Sequence, residues 1–401
     1  MRVLVMKIAL IGNMNNNFFS IMRYLRDLGM DAHLFMYTNE YQHFLPESDT
    51  FKIEQYEEYI HTLSMHSSGK GLIFANTNKI KKELKDYDLF VGCGIAPALF
   101  LKLNLVLDVF IPYADEIELT AQESFKFKNL FKYPIRRYTV NKQVEAIQNN
   151  TTSIIASEVQ EITKDTIKRL DLSAKHEKKY LLMVYKEHID FKSKYIDLMS
   201  QHDMVLFSHT RHHWKDLTEA HEKKDGGKGL DKLIIGYANF IKNNPSANPL
   251  LMFFEYGKDV GAAKELISEM GIEKYVEWLP LMSRREILGL IQHADIVIDA
   301  LASEMWGGVG WEGLSCGKIL MQNIVQSDEE YLTEMGHELP FIMKSNSAEQ
   351  VEEHLNAFFA DREYYKTQAE KNEEWFYNYA GMGLAKEYKR IIDEIYSKKS
   401  L

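Results

Sequence analysis

The chain has 401 residues, 45% hydrophobic and 26% charged, with a formal net charge of −10. At roughly 150 residues per domain this is two or three globular domains, not a disordered or fibrous chain. The acidic balance excludes a general nucleic-acid binder, and two cysteines, Cys93 and Cys316, exclude a disulfide framework or a cysteine-rich metal site.

The run VMKIALIG (5–12) predicts a buried strand ending at Gly12. Lys7 interrupts it and no small-residue cleavage site follows, so it is not read as a secretory signal. No apolar stretch reaches ~18 residues, so no membrane-spanning helix is expected. With so few cysteines, the expected location is the cytoplasm. NMNNN (13–17) predicts a loop, FFSIMRYLRDLG (18–29) a helix, and DAHLFMY (31–37) a second strand. This βαβ unit implies a parallel sheet. YDLFVGCG (87–94), LVLDVFIPY (105–113) and TSIIAS (152–157) continue the series.

A second series follows: DMVLFSHT (203–210), PLLMFFEYG (249–257), YVEWLP (275–280), ADIVIDA (294–300) and KILMQNI (318–324). The helical stretches GLDKLIIGYANFIKN (229–243) and AAKELISEMG (262–271) lie between them, and GLAKEYKRIIDEIYSKK (383–399) predicts an amphipathic closing helix. The pattern gives two successive α/β domains with a border near residue 190. Open α/β sheets bind ligands at the carboxyl ends of their strands.

Three stretches of the second series concentrate chemistry. In EMWGGVGWE (304–312), Glu304 and Glu312 bracket Gly307, Gly308 and Gly310. Glycine lets a backbone approach a ligand closely. The stretch follows a strand and is read as opening a helix near Trp311, where N–H groups bind phosphate. Glu312, in the first turn, is then within reach of a ribose diol, and Glu304 of a second polyol. A loop whose acid merely complements the helix dipole accounts for the same residues.

SHTRHHW (208–214) and GGKGLDKL (226–233) place Arg211 and Lys228 at the carboxyl end of the same sheet. Two cations beside a helix start suit a diphosphate. A hydrogen bond to a charged group contributes about 1.5–3 kcal/mol, against roughly 0.3–1 kcal/mol for an exposed helix dipole, so the cations dominate. Taken singly, both are also ordinary surface charges. Asp86 and Asp88 imitate a metal-binding Asp-x-Asp but precede a strand, and His209, His212 and His213 lack His-x-x-x-His spacing, so no metal is expected. Gly12 stands without the rest of a G-x-G-x-x-G pattern, which disfavours hydride chemistry.

Together these stretches resemble the retaining nucleotide-sugar glycosyltransferases of the GT-B fold, especially glycosyltransferase family four. Glu304 and Glu312 match that family's Glu–seven residues–Glu motif, and Arg211 and Lys228-Gly229 match its Arg and Lys-Gly. YVEWLPLMSRREILGLIQHADIVIDA (275–300) resembles the segment leading into the motif. The likeness covers most of 203–325 and is only architectural before it. Two departures stand out: an insertion between Arg211 and Lys228 (HHWKDLTEAHEKKDGG), and Met305 where the family usually has Gly.

The resemblance implies an α/β GT-B architecture, two Rossmann-like domains facing across a cleft. Residues 1–190 would form the acceptor-side domain, with the helix at about 378–401 packing back on it, and 191–377 the nucleotide-sugar domain. It places Glu312 on the ribose, Glu304 on the donor sugar, and Arg211 and Lys228 on the leaving diphosphate. Gly307 and Gly308 would offer N–H groups to sugar or phosphate, with Gly12 and Asn13 nearby from the first domain. Gly257 joins the substrate-binding set, and Asp115, in IPYADEIEL (111–119), is a candidate beside the sugar.

The implied activity is metal-independent transfer of a hexose-type sugar from a nucleotide-diphosphate sugar to a glycan, lipid-linked or other acceptor. Surface polysaccharide or glycoconjugate synthesis is the expected setting, with no cofactor beyond the donor and no nucleic-acid partner. The alternatives are a catalytically silent sugar-nucleotide-binding subunit and a GT-B sugar-nucleotide epimerase. SFKFKNLFKYPIRRYTVNKQ (124–143) holds six cations and no acid, interleaved with aromatics. It suits peripheral contact with an anionic membrane, at about 1 kcal/mol per basic residue. A solvated helix face or an anionic acceptor suits it equally.

Overall fold

The computed structural model describes residues 6–113, 133–158, 161–215, 217, 227–302 and 307–399. The chain divides into two compact units, Met1–Tyr185 with Asn378–Leu401, and Lys186–Tyr377.

The first unit holds a seven-stranded sheet: β1 (Lys7–Ile11), β2 (Asp31–Tyr37), β3 (Ile60–Leu63), β4 (Leu89–Gly92), β5 (Leu107–Phe110), β6 (Thr151–Ala156) and β7 (His176–Lys178). Its order is β3-β2-β1-β4-β5-β6-β7, with every pair parallel. The central strands β4 and β5 are buried along their whole length. Helices cover both faces of such a sheet, which is why these strands read as continuous apolar runs. Ile11, Phe35, Phe90, Phe100, Phe110 and Ile154 lie in its core. The closing helix Met382–Lys399 belongs to this unit; Tyr388 donates to the Tyr180 carbonyl at 2.7 Å.

The second unit holds β8 (Met204–Ser208), β9 (Pro249–Phe254), β10 (Val276–Leu279), β11 (Ile296–Ile298), β12 (Ile319–Gln322) and β13 (Ile342–Lys344). Their order is β10-β9-β8-β11-β12-β13, again all parallel. The helix Leu230–Asn243 turns Leu230, Leu233, Ile234, Tyr237 and Phe240 inward, at the spacing of one helix face. Leu206, Phe253, Ile296 and Met321 meet that face from the sheet.

In each sheet the chain reverses direction of growth once: between β1 and β4 in the first, and between β8 and β11 in the second. Loops leaving two neighbouring strands part to opposite faces at such a point, opening a crevice at the strands' carboxyl ends.

Candidate functional site

The reversal point of the second unit gathers four segments. β8 and β11 run side by side with Leu206 opposite Ile296. Beyond them, the Ser208 and Thr210 hydroxyls donate to the Ile298 carbonyl at 2.9 and 3.4 Å. The Lys228 N–H donates to the His213 carbonyl at 2.7 Å, and the Leu301 N–H to the Lys228 carbonyl at 2.8 Å. Loop 208–215, loop 227–229, the turn after β11 and the start of helix Gly308–Ser315 therefore form one cluster.

Arg211 and Lys228 are both half-buried here, and neither side chain makes a hydrogen bond or ion pair with the described residues. The turn that presents Lys228 depends on Gly229, whose φ is +67° and whose added Cβ would lie 3.0 Å from the Ala302 nitrogen. Both facts require glycine. Gly257 (φ +117°) lies against the His212 backbone, where a Cβ would collide with the carbonyl.

The helix after residue 306 begins at Gly308, not near Trp311. Glu312 thus stands beyond the first turn, and the dipole reading loses its footing because that field fades within one turn. Arg284 Nε donates to Glu312 Oε1 at 2.8 Å, and His209 Nε2 stands 2.7 Å from Oε2. The side chains are 13%, 14% and 10% exposed for Arg284, His209 and Glu312. Burial raises the Glu312 carboxyl pKa, but His209 and Arg284 more than offset this and hold it below the usual value. Oε2 is buried and has no aligned hydrogen-bond donor among the described residues. The His209 contact is therefore one of charge rather than of direction.

Asp299 belongs to the same cluster, a position that the strand-like run ADIVIDA concealed. It sits just past β11, buried, and its Oδ2 accepts from the Gly307 and Gly310 N–H groups at 3.0 and 3.1 Å. Its Oδ1 accepts from the Ala300 N–H at 2.8 Å. Burial pushes its carboxyl up, partly offset by these bonds and by Lys228. The Gly307 N–H is therefore already donated within the chain. A Cβ on Gly307 would strike Asp299, and one on Gly310 would press on Gln322 and Asp299, whereas one on Gly308 would meet open space. Chain packing explains two of the three glycines and leaves Gly308 for another reason. Trp311 is core, stacked on Trp375 with ring centroids 6.2 Å apart.

His212 is wholly buried, against Phe253 and Trp278 at ring-centroid distances of 4.8 and 5.1 Å, and burial lowers its pKa to about 4. It is a neutral packing residue of the Arg211 loop.

At the reversal point of the first unit lies a cavity of about 320 Å³, lined among others by Gly12, Tyr37, Glu40, Phe44 and Cys93. Asn13 borders it but is fully engaged: Nδ2 donates to Asn16 Oδ1 at 2.8 Å and to the Phe44 carbonyl at 2.6 Å, and Oδ1 accepts from the Phe19 N–H at 2.9 Å. It fixes the loop into the helix Asn17–Asp27. Burial raises the Glu40 carboxyl, which among the described residues receives the Tyr37 N–H, at 3.4 Å.

Glu304 and Asp115 lie outside the described residues, as does 124–132 of the basic stretch. The rest of that stretch is in helix Tyr133–Asn149, with Arg136, Arg137 and Tyr138 exposed. Among the described residues no group of three His, Cys, Asp or Glu side chains is placed to hold a metal, and no helix is long and apolar enough to cross a membrane. Asp88 Oδ2 accepts from the Lys7 N–H at 2.8 Å.

Residues 225–375 match the model of the family described as glycosyl transferases group 1. That span is less than half of the chain and contains Glu304, Glu312 and Lys228. No curated protein matches. Among solved structures, Anabaena HepE in complex with UDP is similar at 14% identity and a TM-score of 0.62, covering 97% of this chain and 100% of that one. WaaG, a glycosyltransferase involved in lipopolysaccharide biosynthesis, is similar at 16% identity and a TM-score of 0.54, covering 96% and 99%. A UDP-N-acetylglucosamine 2-epimerase is similar at 10% identity and a TM-score of 0.58, covering 98% and 96%. At these identities the likeness shows the fold: two Rossmann-like α/β units of the GT-B type.

Proposed function

We propose that this chain is a nucleotide-sugar-dependent glycosyltransferase whose donor site is the loop cluster of the second unit. The observation that carries this reading is a charge arrangement that the chain leaves incomplete. Arg211 and Lys228 have no side-chain partner among the described residues, and they share that cluster with a buried Glu312 oxygen lacking an aligned donor. An unsatisfied buried acceptor costs about 1–3 kcal/mol. A nucleoside diphosphate supplies what is missing, with ribose hydroxyls for Glu312 and phosphate oxygens for the two cations. The family match over 225–375 supports the same reading.

In this mechanism Arg211 and Lys228 neutralise the diphosphate as it leaves, where charge develops in the transition state. The Gly308 amide, at an open helix start, faces the phosphate or sugar. The leaving phosphate takes the acceptor proton on the face from which it departs, which gives retention. Glu304 is assigned to the donor sugar, and Asp115 is kept as a catalytic candidate. Neither Glu304 nor Glu312 then serves in a glycosidase-type pair, which needs carboxyls flanking the bond. The cavity with Glu40 in the first unit takes the acceptor. Transfer needs no metal and no cofactor. The acceptor belongs to a surface glycan or lipid-linked intermediate, reached at the inner face of the membrane through residues 124–143.

Incubation with labelled nucleotide sugars in excess chelator tests the reading. Sugar transfer or nucleoside diphosphate release supports it. Saturable binding without turnover makes the chain a silent subunit, and inversion at one sugar carbon makes it an epimerase, the activity of one structural neighbour. Activity abolished by chelator and restored by Mg²⁺ or Mn²⁺ overturns metal independence. For the membrane, co-sedimentation should require anionic vesicles and weaken with salt. Equal recovery on neutral vesicles contradicts that part.

A further inference from the structure

We propose that Arg284 and His209 are positioning residues that hold Glu312 turned to the adjacent 2′- and 3′-hydroxyls of a ribonucleotide, so that the site selects ribose over deoxyribose. The proposal rests on the reading of Glu312 as the ribose ligand.

The two partners come from separate elements. Arg284 opens the helix Arg284–Ile291, whose start is fixed by a capping box: the Ser283 N–H and hydroxyl donate to Glu286 Oε2 at 2.8 and 2.6 Å. His209 follows β8 by one residue. Glu312 is carried by a third element, the helix Gly308–Ser315. The carboxylate is thus held from two sides, Oε1 by the Arg284 guanidinium and Oε2 by the His209 ring.

A carboxylate offers about four lone-pair sites, two on each oxygen. Arg284 Nε occupies one on Oε1 at 2.8 Å. His209 Nε2 stands 2.7 Å from Oε2 without filling a directed site there. Each oxygen keeps acceptor capacity, and two acceptors on one rigid group match two donors on neighbouring carbons. Clamping also removes the rotamer freedom that a loose glutamate would lose on binding. A 2′-deoxyribose leaves one prepared acceptor empty in a buried site, which is how a polar pocket rejects an analogue lacking a hydroxyl.

Calorimetry with UDP, GDP and ADP and their 2′-deoxy counterparts tests the clamp. Wild type should prefer the ribonucleotide of the base it binds by on the order of tenfold. Arg284→Gln and His209→Ala should each raise that Kd about tenfold and shrink the ribo-over-deoxy preference. Arg284→Lys and His209→Gln, which keep a donor, should restore part of it. In turnover, KM for the donor should rise more than kcat falls. A merely structural role would lower the melting temperature and leave the preference intact. Should Arg284→Gln or His209→Ala not fold, the conservative variants carry the test, since their preference must fall between wild type and Glu312→Ala. Unchanged affinity and preference in Glu312→Ala removes the ribose reading, and the clamp with it. Loss in Glu312→Ala with full preference kept in folded Arg284 and His209 variants overturns the clamp alone.

Discussion

Glu312 and Asp299 are buried carboxylates of one loop cluster whose surroundings push them in opposite directions. Asp299 is raised because burial outweighs its N–H donors and Lys228. Glu312 is lowered because His209 and Arg284 outweigh burial. A carboxyl lowered in the folded state stabilises the fold above its unfolded value of 4.5, and that contribution is lost as pH falls through the lower folded value. Glu312→Gln should therefore be less stable than wild type at pH 7, with the gap closing below pH 4.5. Urea unfolding at several pH values measures it, and a pH-independent gap would contradict the ion-pair account. His212 acts over another range. Its drop from 6.5 to about 4 means the unfolded chain takes up a proton first, so stability falls as pH goes from 6.5 toward 4. His212→Leu should flatten this slope by on the order of 3 kcal/mol across that interval. The expectation that Glu312 is a site residue came from its spacing from Glu304. Its partners were not, because Arg284 and His209 lie 28 and 103 residues away and meet it only through the fold.

Elements in the middle of each sheet were legible, and at the edges only β10, in YVEWLP, was. β4, β8 and β9 are apolar runs, and β5 is one apart from Asp108, because helices cover both faces. β3 (IHTL), β7 (HEK) and β13 (IMK) are short and partly polar, and each lies at a sheet edge. An edge strand is ordered by its one neighbour more than by its own composition, so no run announced it. The start of helix Gly308–Ser315 was misplaced for a related reason. Its cap is not a neighbouring Ser or Asp but Asp299, eight residues before Gly307. Asp299→Asn should lower stability by about 1–3 kcal/mol, since an amide cannot serve three N–H donors as a carboxylate does. Denaturant midpoints read this, and no change would mean the cap is dispensable. The closing helix is pinned by Lys399, whose Nζ lies 3.0 and 3.1 Å from the two oxygens of buried Asp108. Lys399 is 41% exposed, so screening reduces the pair's worth. Lys399→Ala should cost about 1–2 kcal/mol, read by the same method.

For the molecule as a whole, two reversal points in two parallel sheets set where ligands can sit, and the side chains there differ in kind. The first unit offers a cavity with one poorly satisfied carboxyl, Glu40, and the second offers cations beside a half-satisfied Glu312. The first unit's cavity is the less determined by sequence, because Gly12 and Asn13 carry no signature and Asn13 turns out to be spent on its own loop. The central claim is that the second-unit cluster breaks the bond between a sugar and a nucleoside diphosphate. The most direct measurement is the rate of nucleoside diphosphate release from the preferred nucleotide sugar, in excess chelator, by wild type and by Lys228→Ala. Loss of a charged hydrogen bond at the leaving group predicts a rate roughly ten- to a hundredfold lower in the variant, with melting temperature unchanged. A folded Lys228→Ala protein that releases the diphosphate at the wild-type rate would contradict the account.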